Sequence, residues 1–130
     1  MSYYMRQVNG HFIMKKEKKV QALNELKDMI TKGNTEIQDY FTQDIMTSKS
    51  LEEVLLADGW ECETDIDGNI IDLWFKDEKI NNEYEIFNLL APYVEAECFI
   101  EMIGEDDSRW RWVFNGENCM EKNATIVWED

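Results

Sequence analysis

Residues 98–114 of this chain read CFIEMIGEDDSRWRWVF, and this stretch predicts a β-hairpin. If Ile103 faces Arg109 across a five-residue loop, one face carries only apolar cross-strand pairs, namely Met102 with Trp110, Ile100 with Trp112 and Cys98 with Phe114. The opposite face then pairs Glu101 with Arg111. Because one register places apolar pairs on one face and an oppositely charged pair on the other, the stretch predicts two antiparallel strands of a sheet that is buried on one side.

An earlier stretch, from Tyr3 to Met14, also predicts a hairpin. Its centre is Asn9-Gly10, a dipeptide typical of the type I′ turn because both residues tolerate positive φ. A single bulged strand is the alternative.

A third hairpin is predicted over Trp60–Phe75, with Asp67-Gly68 as a two-residue turn. This register predicts three pairs on an apolar face, namely Thr64 with Ile71, Cys62 with Leu73 and Trp60 with Phe75. On the opposite face Glu63 faces Asp72, and Glu61 and Asp65 lie beside them. Like charges across a ladder lower stability unless they are solvated or meet a cation.

Helical patterns separate these hairpins. Spacings of three and four residues predict an amphipathic helix from Glu17 to Thr31, closed by Gly33 in a left-handed cap, with an apolar stripe of Val20, Leu23, Leu26 and Ile30. Ser50 and Glu53 fit a capping box at the start of a second helix. Asn82 is a candidate N-cap for a third, which stops at Pro92. Residues 34–48 fit either a helical turn or a packed loop.

The order of these elements predicts one α+β domain over residues 1–130, with a last strand within Cys119–Trp128. An antiparallel sheet built from hairpins, with two to three helices packed on one face, is the simplest arrangement that buries the apolar stripes. With 44% hydrophobic residues, 130 residues are enough for a core.

The charge is strongly acidic, with 28 Asp and Glu against 13 Lys and Arg and a net charge of −15. Such a surface repels nucleic-acid phosphates and anionic membranes, so we expect a protein partner with a basic surface, no direct nucleic-acid binding and no membrane. No stretch resembles a signal peptide or a membrane helix, which favours a cytoplasmic protein. The oligomeric state is left open.

The cysteines do not indicate a disulfide framework or a zinc site. Cys62, Cys98 and Cys119 are odd in number and widely spaced, so reduced thiols in the core are the expectation.

The sequence indicates no catalytic residue and no cofactor. Asp65-Ile66-Asp67-Gly68 resembles part of a calcium loop, but Trp74 stands where the bidentate Glu should be, so a hairpin turn is the better interpretation. With 28 Asp and Glu residues, some carboxylates will lie close together in any fold, so a close pair does not by itself indicate catalysis. His11 is the only histidine and lacks a nucleophile pattern, and no glycine-rich phosphate loop is present. We therefore expect a non-enzymatic protein.

Two basic features are interpreted as structural. Residues 109–112 alternate arginine and tryptophan, but alternation directs the tryptophans into the core and leaves the arginines to pair with carboxylates, rather than to bind nucleic acid. The lysines of Lys15–Lys32 are interpreted as the solvated face of the first helix.

Residues 91–95 (APYVE), 99–101 (FIE), 104–106 (GED) and 110–114 (WRWVF) resemble a group of small acidic hypothetical proteins of bacteria and their phages or mobile elements. The resemblance extends from the Tyr3 strand to residues 126–129. Because the group has no established activity, the resemblance implies a phage or mobile-element setting and transfers no functional residues.

The sequence therefore favours a protein that acts by macromolecular binding, with an antagonist of a basic, nucleic-acid-binding host protein as the leading hypothesis. An immunity-like or accessory protein that neutralises one specific partner, and a small-molecule-binding domain, are the alternatives. The candidate partner-binding residues are Glu61, Glu63, Asp65, Asp72, Glu101, Glu105, Asp106, Asp107, Arg109 and Arg111.

Overall fold

The computed structural model describes residues 3–33, 37 and 39–129. In chain order the elements are β1 (Met5–His11), α1 (Lys16–Thr31), α2 (Asp39–Thr47), α3 (Leu51–Ala57), β2 (Trp60–Thr64), β3 (Ile70–Phe75), α4 (Glu83–Leu90), a 3₁₀ turn (Ala91–Tyr93), β4 (Phe99–Gly104), β5 (Arg109–Phe114) and β6 (Cys119–Asn123). The fold is α+β with antiparallel strands, as predicted. The described residues form four α-helices, where two to three were expected.

The β4–β5 hairpin has the predicted register. Ile103 faces Arg109, and the pairs that follow are Met102 with Trp110, Glu101 with Arg111 and Ile100 with Trp112. The loop is tighter than five residues, because the Gly104 N–H donates to the Ser108 carbonyl at 2.8 Å. Asp107 takes the left-handed conformation, with φ of 65°, that closes this turn.

The predicted Tyr3–Met14 hairpin is wrong, and the alternative of one bulged strand is correct. Asn9 and Gly10 do not turn the chain but continue β1 opposite Glu101 and Ile100 of β4, with a bulge between Gln7 and Asn9. Gly10 is needed for close approach, since a Cβ there would lie 2.6 Å from Nε2 of Gln7.

The β2–β3 hairpin is confirmed in part. Trp60 faces Phe75, Cys62 faces Leu73 and Glu63 faces Asp72, but a bulge then pairs Thr64 with Ile70 instead of Ile71. As a result Ile70 is fully buried and Ile71 is exposed.

The predicted two-residue turn of this hairpin is also wrong. Oδ1 of Asp65 accepts the N–H groups of Asp67 and Asn69, at 3.0 and 2.9 Å. These bonds hold a longer loop in which Gly68, with φ of 91°, supplies the left-handed residue.

The strands form a four-stranded sheet in the order β1-β4-β5-β6 and a two-stranded sheet β2-β3 that lies beside its β1 edge. Hydrogen bonding runs through β1-β4-β5-β6 and through β2-β3, and β3 lies antiparallel beside β1. Isolated bridges pair Tyr4 with Lys79 and Met14 with Ile70 beyond the two ends of β1, and between them the buried side chain of Gln7 joins β1 to β3. Its Nε2 donates to the Leu73 carbonyl at 3.1 Å and its Oε1 accepts the Phe75 N–H at 2.8 Å. The side-chain amide of Gln7 thus takes the place of the backbone hydrogen bonds that are missing between β1 and β3.

All four helices contribute to a single hydrophobic core together with the inward side chains of the sheet. Phe87 of α4 packs edge-on against Trp60 and Trp112, with ring centroids 5.1 Å from each. Leu23 and Leu26 of α1 are buried as predicted, whereas Val20 is 64% exposed and falls outside the stripe. Of the segment 34–48, which sequence left open, residues 39–47 form α2 and residues 34–36 and 38 lie outside the described residues.

The predicted helix caps are confirmed only in part. Ser50 Oγ accepts the Glu53 N–H at 3.2 Å, and Glu53 reaches back to the Lys49 N–H, which confirms a capping arrangement for α3. Asn82 stands at the N-cap of α4, but its side chain makes no capping bond and donates instead to Asp58. In the described part of the chain, no helix is long and apolar enough to cross a membrane.

Candidate functional site

The side of the sheet opposite the helices is open, and we call it the outer face. Strand alternation places residues of β2–β3 and of β4–β6 on this face at its two ends. Along β4 and β5, every second residue is buried on the core side, and the residues between them are exposed or half-buried. Most of the predicted site residues lie here, but in two groups separated by β1.

The first group, which we call the acidic patch, consists of Glu61, Glu63, Asp72 and Trp74. Cross-strand pairing sets Glu61 opposite Trp74 and Glu63 opposite Asp72. Together with Leu73 and Lys76 they line an open hollow of about 270 Å³. The Trp74 side chain is 36% exposed. No carboxylate of this patch forms an ion pair with any residue that the structure describes.

Asp65 does not join the acidic patch as a free ligand. Its carboxylate accepts the backbone N–H groups of the loop and the Nδ2 of Asn69 at 3.0 Å. These bonds, led by that of the Asn69 side chain, lower the pKa of Asp65. Its role is therefore to fix the hairpin loop.

The second group, which we call the basic patch, consists of Arg109, Arg111 and Lys122. Arg111 Nε lies 2.7 Å from Glu101 Oε1, and Arg109 Nε lies 4.0 Å from the other oxygen of the same carboxylate. This confirms the predicted arginine–carboxylate pairs. The Arg111 guanidinium also stacks on Phe99, 4.9 Å from the ring centroid. Because two arginines share one carboxylate, positive charge remains in excess.

The loop acids Glu105, Asp106 and Asp107 lie at one end of the sheet. Asp106 Oδ1 accepts the Tyr3 hydroxyl at 2.5 Å and the Ser108 N–H at 3.1 Å, and the Tyr3 bond is the main cause of its lowered pKa. Glu105 Oε1 accepts the Tyr4 N–H at 3.3 Å. Two of the three acids thus anchor the residues that lead into β1.

A pair of buried carboxyl groups lies away from all the predicted site residues. Asp58, 2% exposed, and Glu83, fully buried, lie between the end of α3 and the start of α4. Trp60 Nε1 and the Asn81 N–H donate to Glu83, and Asn82 Nδ2 donates to Oδ1 of Asp58, whose Oδ2 has no partner in the described residues.

The environment of this pair favours the neutral acids. Burial raises the pKa of Asp58 to about 7, and burial with the nearby Asp58 charge raises that of Glu83 to about 8. Since both groups are enclosed in the protein, we expect their ionisation to act on stability.

The cysteines have the properties of unreactive thiols. All three are free, with Cys98 buried and Cys62 and Cys119 half-buried. Burial raises the pKa of Cys62 and of Cys119 to about 12, which leaves little thiolate at neutral pH.

Within residues 3–33, 37 and 39–129, no group of three or more His, Cys, Asp or Glu side chains has the geometry to hold a metal ion. Comparison with known proteins finds no family model, no curated protein and no solved structure that matches this chain.

Sequence reasoning missed Trp74 and Lys122 as members of the two patches. The signal for Trp74 was present, because it lies two residues from Asp72 and so shares its face of β3. Lys122 pairs with Arg111 across β5 and β6, and this register was hidden because the bounds of the last strand were unknown.

Proposed function

We propose that this protein is a non-enzymatic binding protein whose acidic patch captures a basic surface of another protein. The observation that carries the proposal is the patch itself, where three carboxylates without ion-pair partners surround a half-exposed tryptophan on an open strand pair. Arginine is the residue that such a surface recognises best, since carboxylates accept its N–H groups and an indole ring stacks on its plane.

The strand edge supports the same proposal. In the described residues β2 is hydrogen-bonded only to β3, so its other edge is open. Exposed Glu61 and Glu63 on this strand discourage pairing with arbitrary strands and leave its edge available to a partner of opposite charge. A basic, phosphate-binding protein of a bacterial host is the partner class we propose, with the carboxylates in place of phosphates.

A direct test uses a fluorescent arginine-rich peptide as the probe. We expect binding that weakens at high salt, and at least a tenfold loss of affinity when Glu61, Glu63 and Asp72 are neutralised together to Gln, Gln and Asn. Trp74→Ala should lower affinity without changing the salt dependence, because it removes stacking and no charge.

The matched control neutralises three exposed acids elsewhere, Glu117, Glu121 and Glu129, to Gln. This variant carries the same change in net charge. If both triple variants lose the same affinity, bulk charge and not the acidic patch attracts the probe, and the proposal fails.

A further inference from the structure

The outer face has a charge distribution unlike that of the rest of the protein. Its outward side chains include the acids Glu61, Glu63, Asp72 and Glu101 and the bases Arg6, Lys76, Arg109, Arg111 and Lys122, and Asp77, Glu78 and Glu105 line a hollow with Arg6. The whole chain has a net charge of −15. The basic side chains on this face offset part of the repulsion between two copies of this acidic protein.

The charges on this face are also separated by position. The acidic patch lies on the β2-β3 sheet, which contacts β1 at one edge of the four-stranded sheet, and the basic patch lies on β5 and β6 at the other edge. The strands β1 and β4 lie between the two patches, and there the neutral Asn9 of β1 faces Glu101 of β4.

This arrangement is self-complementary. A two-fold axis parallel to the strands, above the β1–β4 pair, would lay β2–β3 of one copy over β5–β6 of the other and bring each acidic patch onto a basic patch. Two-fold dimers are the commonest protein oligomers, and sheets pack face to face at about 10 Å.

Apolar side chains on the same face supply contacts that do not depend on charge. Trp74 is 36% exposed at the acidic end and Met120 is 41% exposed at the basic end, with half-buried Val113 beside it. In the described part of the chain, nothing covers these side chains.

We infer that the outer face binds a second copy of this chain, so that the protein forms a symmetric dimer in which each acidic patch contacts the basic patch of the other copy. This contact covers the acidic patch, so a second copy competes there with the basic partner of the proposed function, and the test below uses the protein alone so that the two proposals can fail separately. At physiological salt the Debye length is about 8 Å, so charges across the interface attract while those on the far sides of the two copies are screened.

The test is the mass of the purified protein by sedimentation, from about 1 to about 500 µM at physiological salt. We expect the mass to rise with concentration from 15.5 kDa to twice that value. Reversing the acidic patch with Glu61→Lys and Glu63→Lys, or the basic patch with Arg109→Glu and Lys122→Glu, should each weaken dimerisation at least tenfold, because like charges then face each other.

Mixing the two reversed proteins provides the decisive measurement. In a two-fold dimer, an acid-reversed copy and a base-reversed copy have opposite charges at both contacts, so a heterodimer should form at concentrations where each protein alone is monomeric. The double change Glu17→Lys and Lys18→Glu on exposed α1 is the control and should leave the mass profile unchanged.

Three results would overturn the inference. These are a mass of 15.5 kDa over the whole concentration range, dimers that ignore both reversals, and reversed proteins that fail to combine when mixed although each retains its native circular dichroism spectrum.

Discussion

At the scale of single residues, the buried carboxyl groups of Asp58 and Glu83 make the stability of the fold depend on pH. In the folded state their pKa values are raised to about 7 and about 8, above the values near 4 of an unfolded chain. The native state therefore binds more protons than the unfolded state between these limits. Stability is highest at the acid end of this window and falls as pH rises through it.

We predict that Asp58→Asn raises the free energy of unfolding at pH 8 by roughly 1–3 kcal/mol, since it removes a buried charge. Asn82 Nδ2 can still donate to the amide oxygen in place of Oδ1. Urea unfolding at pH 5 and pH 8 measures the effect, and the loss of stability between these pH values should shrink in the variant.

We expect Glu83→Gln to stabilise the protein less than Asp58→Asn does. Both oxygens of Glu83 accept hydrogen bonds, from Trp60 Nε1 and from the Asn81 N–H, so an amide would set one donor against another. Glu117→Gln on an exposed turn controls for the change in net charge. Equal effects of Asp58→Asn and this control would contradict the assignment.

At the scale of elements, Gln7 connects two strand pairs that lack a continuous ladder. Its amide both donates to and accepts from the backbone of β3, and Gly10 leaves the space in which its side chain lies. The union of β1 with β3 thus depends on one side chain together with the bridges at the two ends.

We predict that Gln7→Leu destabilises the protein by roughly 2–4 kcal/mol, because the Phe75 N–H and the Leu73 carbonyl are then buried without partners. Urea unfolding measures the loss. Hydrogen exchange at the Phe75 amide should also accelerate more than exchange at amides of the β4–β5 hairpin. Gln21→Leu on exposed α1 is the control, and similar losses in both variants would contradict the role of Gln7.

The elements also show what sequence could predict. The β4–β5 register followed from the sequence because large apolar side chains and one charge pair alternate without a break. The hairpin predicted at Asn9-Gly10 failed because Gly10 serves close packing and not positive φ. The two-residue turn predicted at Asp67-Gly68 is wrong for another reason, because the Asp65 side chain closes a longer loop.

The candidate site was predictable to a similar extent. Alternation alone placed Glu61, Glu63 and Asp72 on one face. The position of β1 between β3 and β4 depends on contacts far apart in sequence, so the separation of the acidic and basic patches could not be derived. The burial of Asp58 and Glu83 was hidden as well, because each lies at a helix end where acids are usually solvated.

At the scale of the whole molecule, a net charge of −15 on 130 residues means that the folded state repels itself. We predict that the melting temperature at pH 7.5 rises by a few degrees between about 20 mM and about 300 mM sodium chloride, because salt screens this repulsion. Scanning calorimetry measures the change.

The control for this prediction uses pH. Near the sequence isoelectric point of about 4.3 the net repulsion vanishes, so the same addition of salt should have little effect there. A melting temperature that falls with salt at pH 7.5 would instead show that local pairs, such as Lys19 with Glu52 at 2.8 Å, outweigh the net charge.

The central place of β1 affects how the chain folds as it is synthesised. Met5 pairs with Gly104, so the first strand made waits for about a hundred further residues before β4, the strand to which it is hydrogen-bonded, exists. At a synthesis rate of about 5–20 residues per second, that wait is on the order of 5–20 seconds. During this time the nascent chain has only its helices and the β2–β3 hairpin as local structure. We expect the net charge of −15 to keep such incomplete chains apart until the sheet closes.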